Sequence, residues 1–273
     1  MLKYKLIATD LDGTLLDDKK TISQRTKDAI AEYQRQGGVF TIATGRKEAS
    51  AKRFAEEIQV TAPIVAFNGA KVVDFIKGTT LRESFLDSEL AVKSFTALHA
   101  IEKDMVVYSD DMPFISNITP TLKRYMNRVD ITMQVIKDAN VLLNHPITKI
   151  LIIDPSQEFD RMLKIVSPIF GEKLNAVSSD DEYLELLPIG VSKGSGLEEI
   201  AGILGIPMAE TIAIGDHFND ISMIQAAGLG VAVENAREEV LLAADYITAD
   251  NNHEGVALLL EKVLSGEPIT KSS

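Results

Sequence analysis

Apolar residues fall along this chain in two rhythms: short unbroken runs that stop at a polar residue, and longer stretches where they return every three or four positions. The first rhythm is that of strands buried on both faces, the second that of helices with one buried face. Leu6-Ile7-Ala8 reads as a strand that stops at Asp10, with Gly13 permitting a sharp bend. The next stretch is a helix capped by Ser23, with Ala29, Ile30 and Tyr33 on its inner face and Gly37-Gly38 at its end. Val39-Phe40-Thr41-Ile42-Ala43 is a second buried strand, ending at Thr44-Gly45-Arg46. A helix with Phe54, Ala55 and Ile58 on one side leads to a third strand, Ile64-Val65-Ala66-Phe67, which ends at Asn68-Gly69.

From about Ser84 to Leu187 the pattern changes. A helix bearing Leu90, Phe95, Leu98 and Ile101 precedes paired strands, Met105 to Ser109 and Phe114 to Asn117, around an Asp-Asp-Met-Pro turn. A second helix opens at Thr119-Pro120 and buries Leu122, Tyr125, Met126 and Val129. Strands Ile131 to Ile136 and Lys149 to Ile153, a helix opened by Asp154-Pro155, and strands near Asn175 to Val177 and Tyr183 to Leu187 complete this part. The alternation then resumes: a helix with Leu197, Ile200, Ala201 and Leu204, and strand Thr211 to Ile214 ending at Gly215-Asp216. Strands Gly230 to Val233 and Tyr246 to Thr248 follow, with a helix around Val240 and Leu241 between them. The whole predicts an α/β protein: a Rossmann-like three-layer core with a parallel sheet, built from 1–83 and 188–273, and an inserted α+β domain over 84–187. Ligands of such sheets bind at the carboxyl ends of the strands, which here carry Asp10, Thr44, Asn68 and Asp216. The terminal Lys271-Ser272-Ser273 is expected to fray.

Composition narrows the chemistry. The 273 residues, 45% hydrophobic and 25% charged, suit a folded protein near the length at which a second domain forms. A formal charge of -12 with no basic stripe disfavours nucleic acid as a partner. Cys is absent, which removes disulfides, thiolate catalysis and Cys-ligated metals. With Cys absent and the apolar run before Asp10 too short for a signal sequence or a membrane span, a cytoplasmic protein without a membrane partner is expected. A monomer or weak homo-oligomer is the expected state, one that no feature of the sequence fixes.

Asp10 and Asp12 leave one strand end, and Gly215-Asp216-His217-Phe218-Asn219-Asp220 brings two more acids to another. Two carboxylates ~4 Å apart repel by roughly 4 kcal/mol at an effective dielectric of 20, so the cluster calls for a hard divalent cation. Oxygen ligands alone, with no Cys and no paired His, suit Mg²⁺ rather than zinc. Thr44-Gly45 supplies a hydroxyl and backbone N–H groups for a phosphate, and Ser192-Lys193-Gly194 adds an ammonium at a helix start. Each feature alone is an ordinary turn or cap. Together they suggest Asp10 as a nucleophile, Asp12 as general acid and base, Lys193 and Mg²⁺ as charge stabilisers, and Asp220 as the group that orients Lys193.

Asp10-Leu11-Asp12-Gly13-Thr14, then Thr44, Lys193, and Gly215-Asp216 with Asn219-Asp220, resembles the four ordered motifs of the haloacid dehalogenase superfamily phosphatases. The phrases Ala43-Thr44-Gly45-Arg46, Phe67-Asn68-Gly69-Ala70, Ser192-Lys193-Gly194 and Thr248-Ala249-Asp250-Asn251 resemble its Cof-type subfamily, which has an inserted α+β (type IIB) cap. The resemblance implies Asp10 as nucleophile and metal ligand, Asp12 as acid/base and carbonyl ligand, and Asp216 as metal ligand. Phosphate contacts would come from Leu11, Thr44, Gly45, Lys193 and Asn219. The expected activity is Mg²⁺-dependent hydrolysis of small phosphorylated metabolites, sugar phosphates among them, through an aspartyl-phosphate. A phosphomutase, or a phosphate-binding regulatory protein without catalysis, stands as the alternative. His217 and Phe218 read as local packing, Arg46 as either a substrate clamp or an ion pair. His99, His145 and His253 show no carboxylate or metal-ligand spacing, and Met105, Met112, Met126 and Met133 are expected in the core of the inserted domain.

Overall fold

Strand β1 (Leu6–Thr9) is buried at every position, because it pairs on both edges and meets helices on both faces. A computed structural model describes residues 2–109, 112–129 and 131–269. The chain divides into two compact units, Met1–Arg82 with Ser192–Ser273, and Glu83–Val191. After β1 the first segment continues through α1 (Gln24–Arg35), β2 (Val39–Ile42), α2 (Glu48–Glu57), β3 (Ile64–Ala66), β4 (Lys71–Asp74) and β5 (Thr79–Glu83). The insertion contains α3 (Ser88–Ala100), β6 (Asp104–Ser109), β7 (Met112–Ile115), α4 (Pro120–Val129), β8 (Gln134–Val135), β9 (Lys149–Ile153), α5 (Phe159–Phe170), β10 (Leu174–Asp180) and β11 (Tyr183–Pro188). The chain returns for α6 (Lys193–Leu204), β12 (Thr211–Gly215), α7 (Ile221–Ala226), β13 (Leu229–Val233), α8 (Glu238–Ala243), β14 (Tyr246–Thr248) and α9 (Gly255–Ser265).

Five parallel strands in the order β14-β13-β12-β1-β2 form the core sheet. Ile7 faces α1 and α9 through Ile30, Tyr33 and Leu259, while Leu6 and Ala8 face α6 through Leu197, Ile200 and Ala201. Ser23 starts α1 as expected, its hydroxyl accepting the Thr26 N–H at 3.1 Å. Register then fixes the site. Thr9 lies opposite Ile42 on one side and Ile214 on the other, so the residues leaving β1, β2 and β12 emerge on one edge of the sheet.

Ile64–Ala66 differs from its expected place as a third core strand. It touches the parallel sheet through one bridge, Ala43 to Val65, and instead begins an antiparallel sheet of order β3-β4-β5. Phe67, Asn68 and Gly69 have φ of 49°, 54° and 98°, which reverses the chain so that β4 folds back on β3. No apolar rhythm marks β5, whose first three residues are exposed, and α9 is an element beyond those expected.

In the insertion, six strands run in the order β10-β11-β9-β6-β7-β8. Alternation sends Met105, Val107, Ile150, Ile152, Leu184 and Leu186 to one face, against Phe95 and Leu98 of α3 and Met162 and Val166 of α5. Lys149 and Glu185, of opposite parity, form a buried ion pair at 2.7 Å. Thr119 opens α4 by accepting the Leu122 N–H at 3.1 Å. Asp154-Pro155 does not open a helix: the Asp154 carboxylate accepts from Ser156 and from the Glu158 N–H, closing a turn that delays α5 to Phe159. Of Ile131 to Ile136 only Gln134–Val135 is strand. Met105 and Met133 are buried, but Met112 is 48% exposed and is no part of a core. Asp110 and Asp111 of the expected turn, and Lys271-Ser272-Ser273, lie outside the described residues. Among the described residues no helix is long and apolar enough to cross a membrane.

Candidate active site

Asp10 is the first residue beyond β1, and its N–H donates to the Ile214 carbonyl of β12 at 2.9 Å, continuing the parallel ladder by one step. Leu11 is fully buried, and its carbonyl accepts the Leu16 N–H at 2.8 Å, which closes the loop that follows. Gly13 sits at φ 81°, and a Cβ there would meet the Asp216 carboxylate at 2.5 Å. Only glycine lets this loop approach Asp216.

Lys193 is the first residue of α6, capped by Ser192 and Ser195 in a reciprocal pair. A cation at a helix N-terminus opposes the helix dipole, so it needs anions nearby. Its Nζ donates to Asp10 Oδ1 and Asp220 Oδ1, both at 2.6 Å, and the side chain has no exposed surface. Asp220 Oδ2 accepts the N–H groups of Asp216 and His217, each at 3.0 Å, and the carboxylate packs on Gly215 where a Cβ would stand. Asp220 therefore fixes the loop after β12 and the ammonium together.

Carboxylate oxygens of Asp10, Asp216 and Asp220 lie within 4.8 Å of one another. At that separation each like-charged pair repels by roughly 3–4 kcal/mol at an effective dielectric of 20. With all three ionised, the single ammonium of Lys193 leaves two negative charges uncompensated. Burial, joined by repulsion from Asp220 and Asp12, pushes Asp10 up to about 7 against the opposing pull of Lys193. Burial and the charges of Asp10 and Asp220 likewise raise Asp216 well above the ordinary range. The same two anions outweigh burial at Lys193 and hold it cationic. This donor set, oxygen-only and short of two positive charges, fits one hard divalent cation.

The carboxylate of Asp12 stands apart from that group. Arg46 grips it with both ends of its fork, Nε to Oδ2 at 2.6 Å and Nη2 to Oδ1 at 2.7 Å, and Lys20 adds a contact at 2.9 Å. Burial acts against ionisation, but Arg46 and then Lys20 hold Asp12 well below the usual carboxylate range. Arg46 is thus engaged in an ion pair. Thr44, buried at the end of β2, accepts the Arg46 N–H on its hydroxyl at 3.2 Å, and Gly45 lies against the Asn68 carboxamide. Asn219 donates to Asn68 Oδ1 at 2.9 Å. Asp10, Lys193, Asp216 and Asp220 are thus brought into direct reach, while Asp12 reaches Arg46 and Asn219 reaches Asn68.

Several further side chains, Thr14 and Asn251 of the quoted motifs and Asn235 outside them, support the site. The Thr14 hydroxyl donates to Asp216 Oδ1. Asn235 Nδ2 donates to the Gly13 carbonyl at 2.8 Å, and Asn251 donates to the Leu16 carbonyl at 3.0 Å and through its N–H to Asn235 at 3.0 Å. These asparagines brace the loop after Asp10 from the far end of the chain. His217 stacks edge-on against Phe218 with centroids 5.1 Å apart. His253, expected without a carboxylate, pairs with Asp250 at 2.7 Å because a turn folds the two together.

A model of the haloacid dehalogenase-like hydrolases matches residues 7–260. Over 269 residues the chain is 30% identical to the 5-amino-6-(5-phospho-D-ribitylamino)uracil phosphatase YitU of Bacillus subtilis, covering 96% of this chain and 98% of that one. It is also 30% identical over 291 residues to the phosphatase YwpJ of the same organism, covering 95% and 100%. Among solved structures, a haloacid dehalogenase-like hydrolase from Bacteroides thetaiotaomicron superposes with a TM-score of 0.84 at 30% identity, over 95% of this chain and 99% of that chain.

Proposed function

The chain belongs to the haloacid dehalogenase-like hydrolase family, and from that premise we propose a Mg²⁺-dependent phosphatase that acts on small phosphorylated metabolites through an aspartyl-phosphate at Asp10. The observation that supports this reading best is the buried group of Asp10, Asp216 and Asp220 around Lys193, short of two positive charges. Phosphatases are also what its relatives YitU and YwpJ are named. The reading covers the division of labour along the chain: 1–83 and 188–273 for catalysis, with 84–187 as the source of substrate selectivity.

The cation would be held by the carboxylates of Asp10 and Asp216 with the Asp12 carbonyl, and when bound it supplies positive charge for the phosphoryl oxygens. An Asp10 oxygen attacks phosphorus, the bond from phosphorus to the ester oxygen breaks, and the departing alkoxide takes a proton from Asp12. Water then attacks the aspartyl-phosphate, Asp12 removes its proton, and inorganic phosphate leaves with Asp10 regenerated. Asp12 is held ionised by Arg46 and Lys20 in the structure, which suits the second step. The first step requires that grip to loosen so that Asp12 takes up a proton. Thr44, the N–H groups of Leu11 and Gly45, Lys193 and Asn219 would hold the phosphoryl oxygens.

The direct test is phosphate release from a panel of phosphorylated metabolites. Release with Mg²⁺ and none with EDTA is expected; metal-independent turnover would overturn the cation's role, and rearrangement without phosphate release would identify a mutase. A pH signature accompanies it. The raised value of Asp10, about 7, means that its protonated form favours the metal-free fold. That stabilisation is complete below the ordinary carboxylate pKa of about 3.9 and is lost as pH rises through about 7. Metal binding must displace this proton. The rise in melting temperature on adding Mg²⁺ should therefore be small near about pH 5 and large near about pH 8; equal increments at both would count against the assignment.

A further inference from the structure

Asn68 has no role in the scheme above, yet its setting is unusual. It is buried, 1% exposed, with φ 54° and ψ 31°, a left-handed conformation that costs most residues energy and that Asn tolerates better than others. Backbone bonds hold it there: the Phe67 N–H donates to the Arg46 carbonyl and the Asn68 N–H to the Thr44 carbonyl, each at 3.0 Å. Gly69 packs so closely on the Ser192 backbone that no Cβ fits between them. The turn is thus clamped between the Thr44 loop and the start of the Lys193 helix.

The carboxamide inside this clamp is half used. Asn68 Oδ1 accepts from Asn219 Nδ2 at 2.9 Å. Among the described residues, Asn68 Nδ2 and Asn219 Oδ1 are buried without a hydrogen-bond partner. Turning both amides over exchanges the unpartnered amino group and carbonyl oxygen between the two residues, and Asn68 keeps at least one free N–H in either orientation. A Cβ on Gly45 would stand 3.1 Å from both Nδ2 and Oδ1 of Asn68, so the carboxamide lies against the loop assigned above to phosphate. Buried polar groups are nearly always satisfied, and one left open beside a reaction site is satisfied by what binds there.

We infer that Asn68 is a further ligand of the phosphoryl group and the residue that orients Asn219, its amide donating to a phosphoryl oxygen while its carbonyl fixes the neighbouring carboxamide. The inference rests on the phosphatase reading. The second N–H of Asn219 is left to point at the same anion. The spare acceptor on Asn219 takes a hydrogen bond from water or from a protonated phosphoryl oxygen.

Two variants test this in the full-length, Mg²⁺-loaded protein. Asn68→Gly removes the carboxamide and accepts positive φ without strain, whereas Asn68→Asp keeps the shape and the acceptor but not the donor. The measurements are kcat and KM for an aryl phosphate monoester, the inhibition constant of inorganic phosphate, and thermal melting. Asn68→Gly should melt close to wild type, Asn68→Asp somewhat lower because it buries a carboxylate, and both should lose about 10- to 100-fold in kcat/KM and bind inorganic phosphate about tenfold more weakly or worse. With Asn219→Ala added, the further loss should be less than additive. Inhibition by phosphate unchanged within about twofold in the folded variants, whatever happens to melting, overturns the assignment of Asn68 and leaves the phosphatase reading intact. Wild-type protein that neither releases nor binds phosphate overturns both. If Asn68→Gly does not fold, the isosteric Asn68→Asp decides.

Discussion

Asp10→Asn is expected to lower turnover by about 10³-fold or more, roughly 4 kcal/mol in the barrier, while leaving the fold intact. The amide has the shape of the carboxylate but cannot attack phosphorus. Stability should follow a different course from activity. Because the ionised form of Asp10 is disfavoured by burial and by its acidic neighbours, removing that charge should leave the metal-free protein no less stable above neutral pH. The same substitution removes a proposed metal ligand, so the stabilisation that Mg²⁺ gives wild type should shrink. Single-turnover phosphate release and melting curves with and without Mg²⁺ measure both; residual turnover within tenfold of wild type would sink the nucleophile assignment.

Lys193→Met should damage stability and activity together. The ammonium is buried between Asp10 and Asp220, and removing one partner of a buried pair typically costs about 3–5 kcal/mol because the remaining charge stays uncompensated. Here two carboxylates would be stranded, so the cost belongs at the upper end of that range, with turnover falling by about 10²–10³-fold through loss of charge stabilisation. Mg²⁺ should recover part of the stability, since it relieves the same repulsion, and little of the turnover. Chemical denaturation with and without Mg²⁺ separates the two effects. A variant as stable as wild type would show that the pair is not the constraint its burial implies.

What could be read from the chain follows from how the information is written in it. Apolar runs that stop on Asp10, Thr44 and Asp216 mark strand ends, and a parallel sheet puts strand ends on one edge, so the placement of these residues needed only the alternation of elements. Lys193 was legible because a Ser-Lys-Gly helix start is a local signal. The brace from Asn235 and Asn251 was not, since asparagine in a loop has no periodicity and its partners, the carbonyls of Gly13 and Leu16, lie more than two hundred positions away. Nor was the antiparallel pairing of Ile64–Ala66 with β4. An apolar triplet does not specify which way its neighbour runs, and that choice is made by the left-handed turn at Phe67 and Asn68. The start of α5 lies beyond Asp154-Pro155 for a similar reason: Asp-Pro suits a helix opening, but Asp154 uses its carboxylate to close a turn first.

The interruption of the first unit between Arg82 and Ser192 also bears on how the molecule is made. During synthesis β1 emerges some two hundred residues ahead of one of its two strand partners, β12, which is encoded only at Thr211–Gly215. Until then Leu6–Thr9 has a naked backbone edge and apolar faces, the kind of segment that pairs wrongly with other chains. Glu83–Val191, in contrast, is continuous and can condense while the ribosome is still delivering the rest. The closing of the core is therefore a late, long-range event, slow by the standards of local folding. Chains stalled before residue 211 should be a principal source of aggregates, whereas lesions confined to the insertion should leave β1 and β12 free to meet.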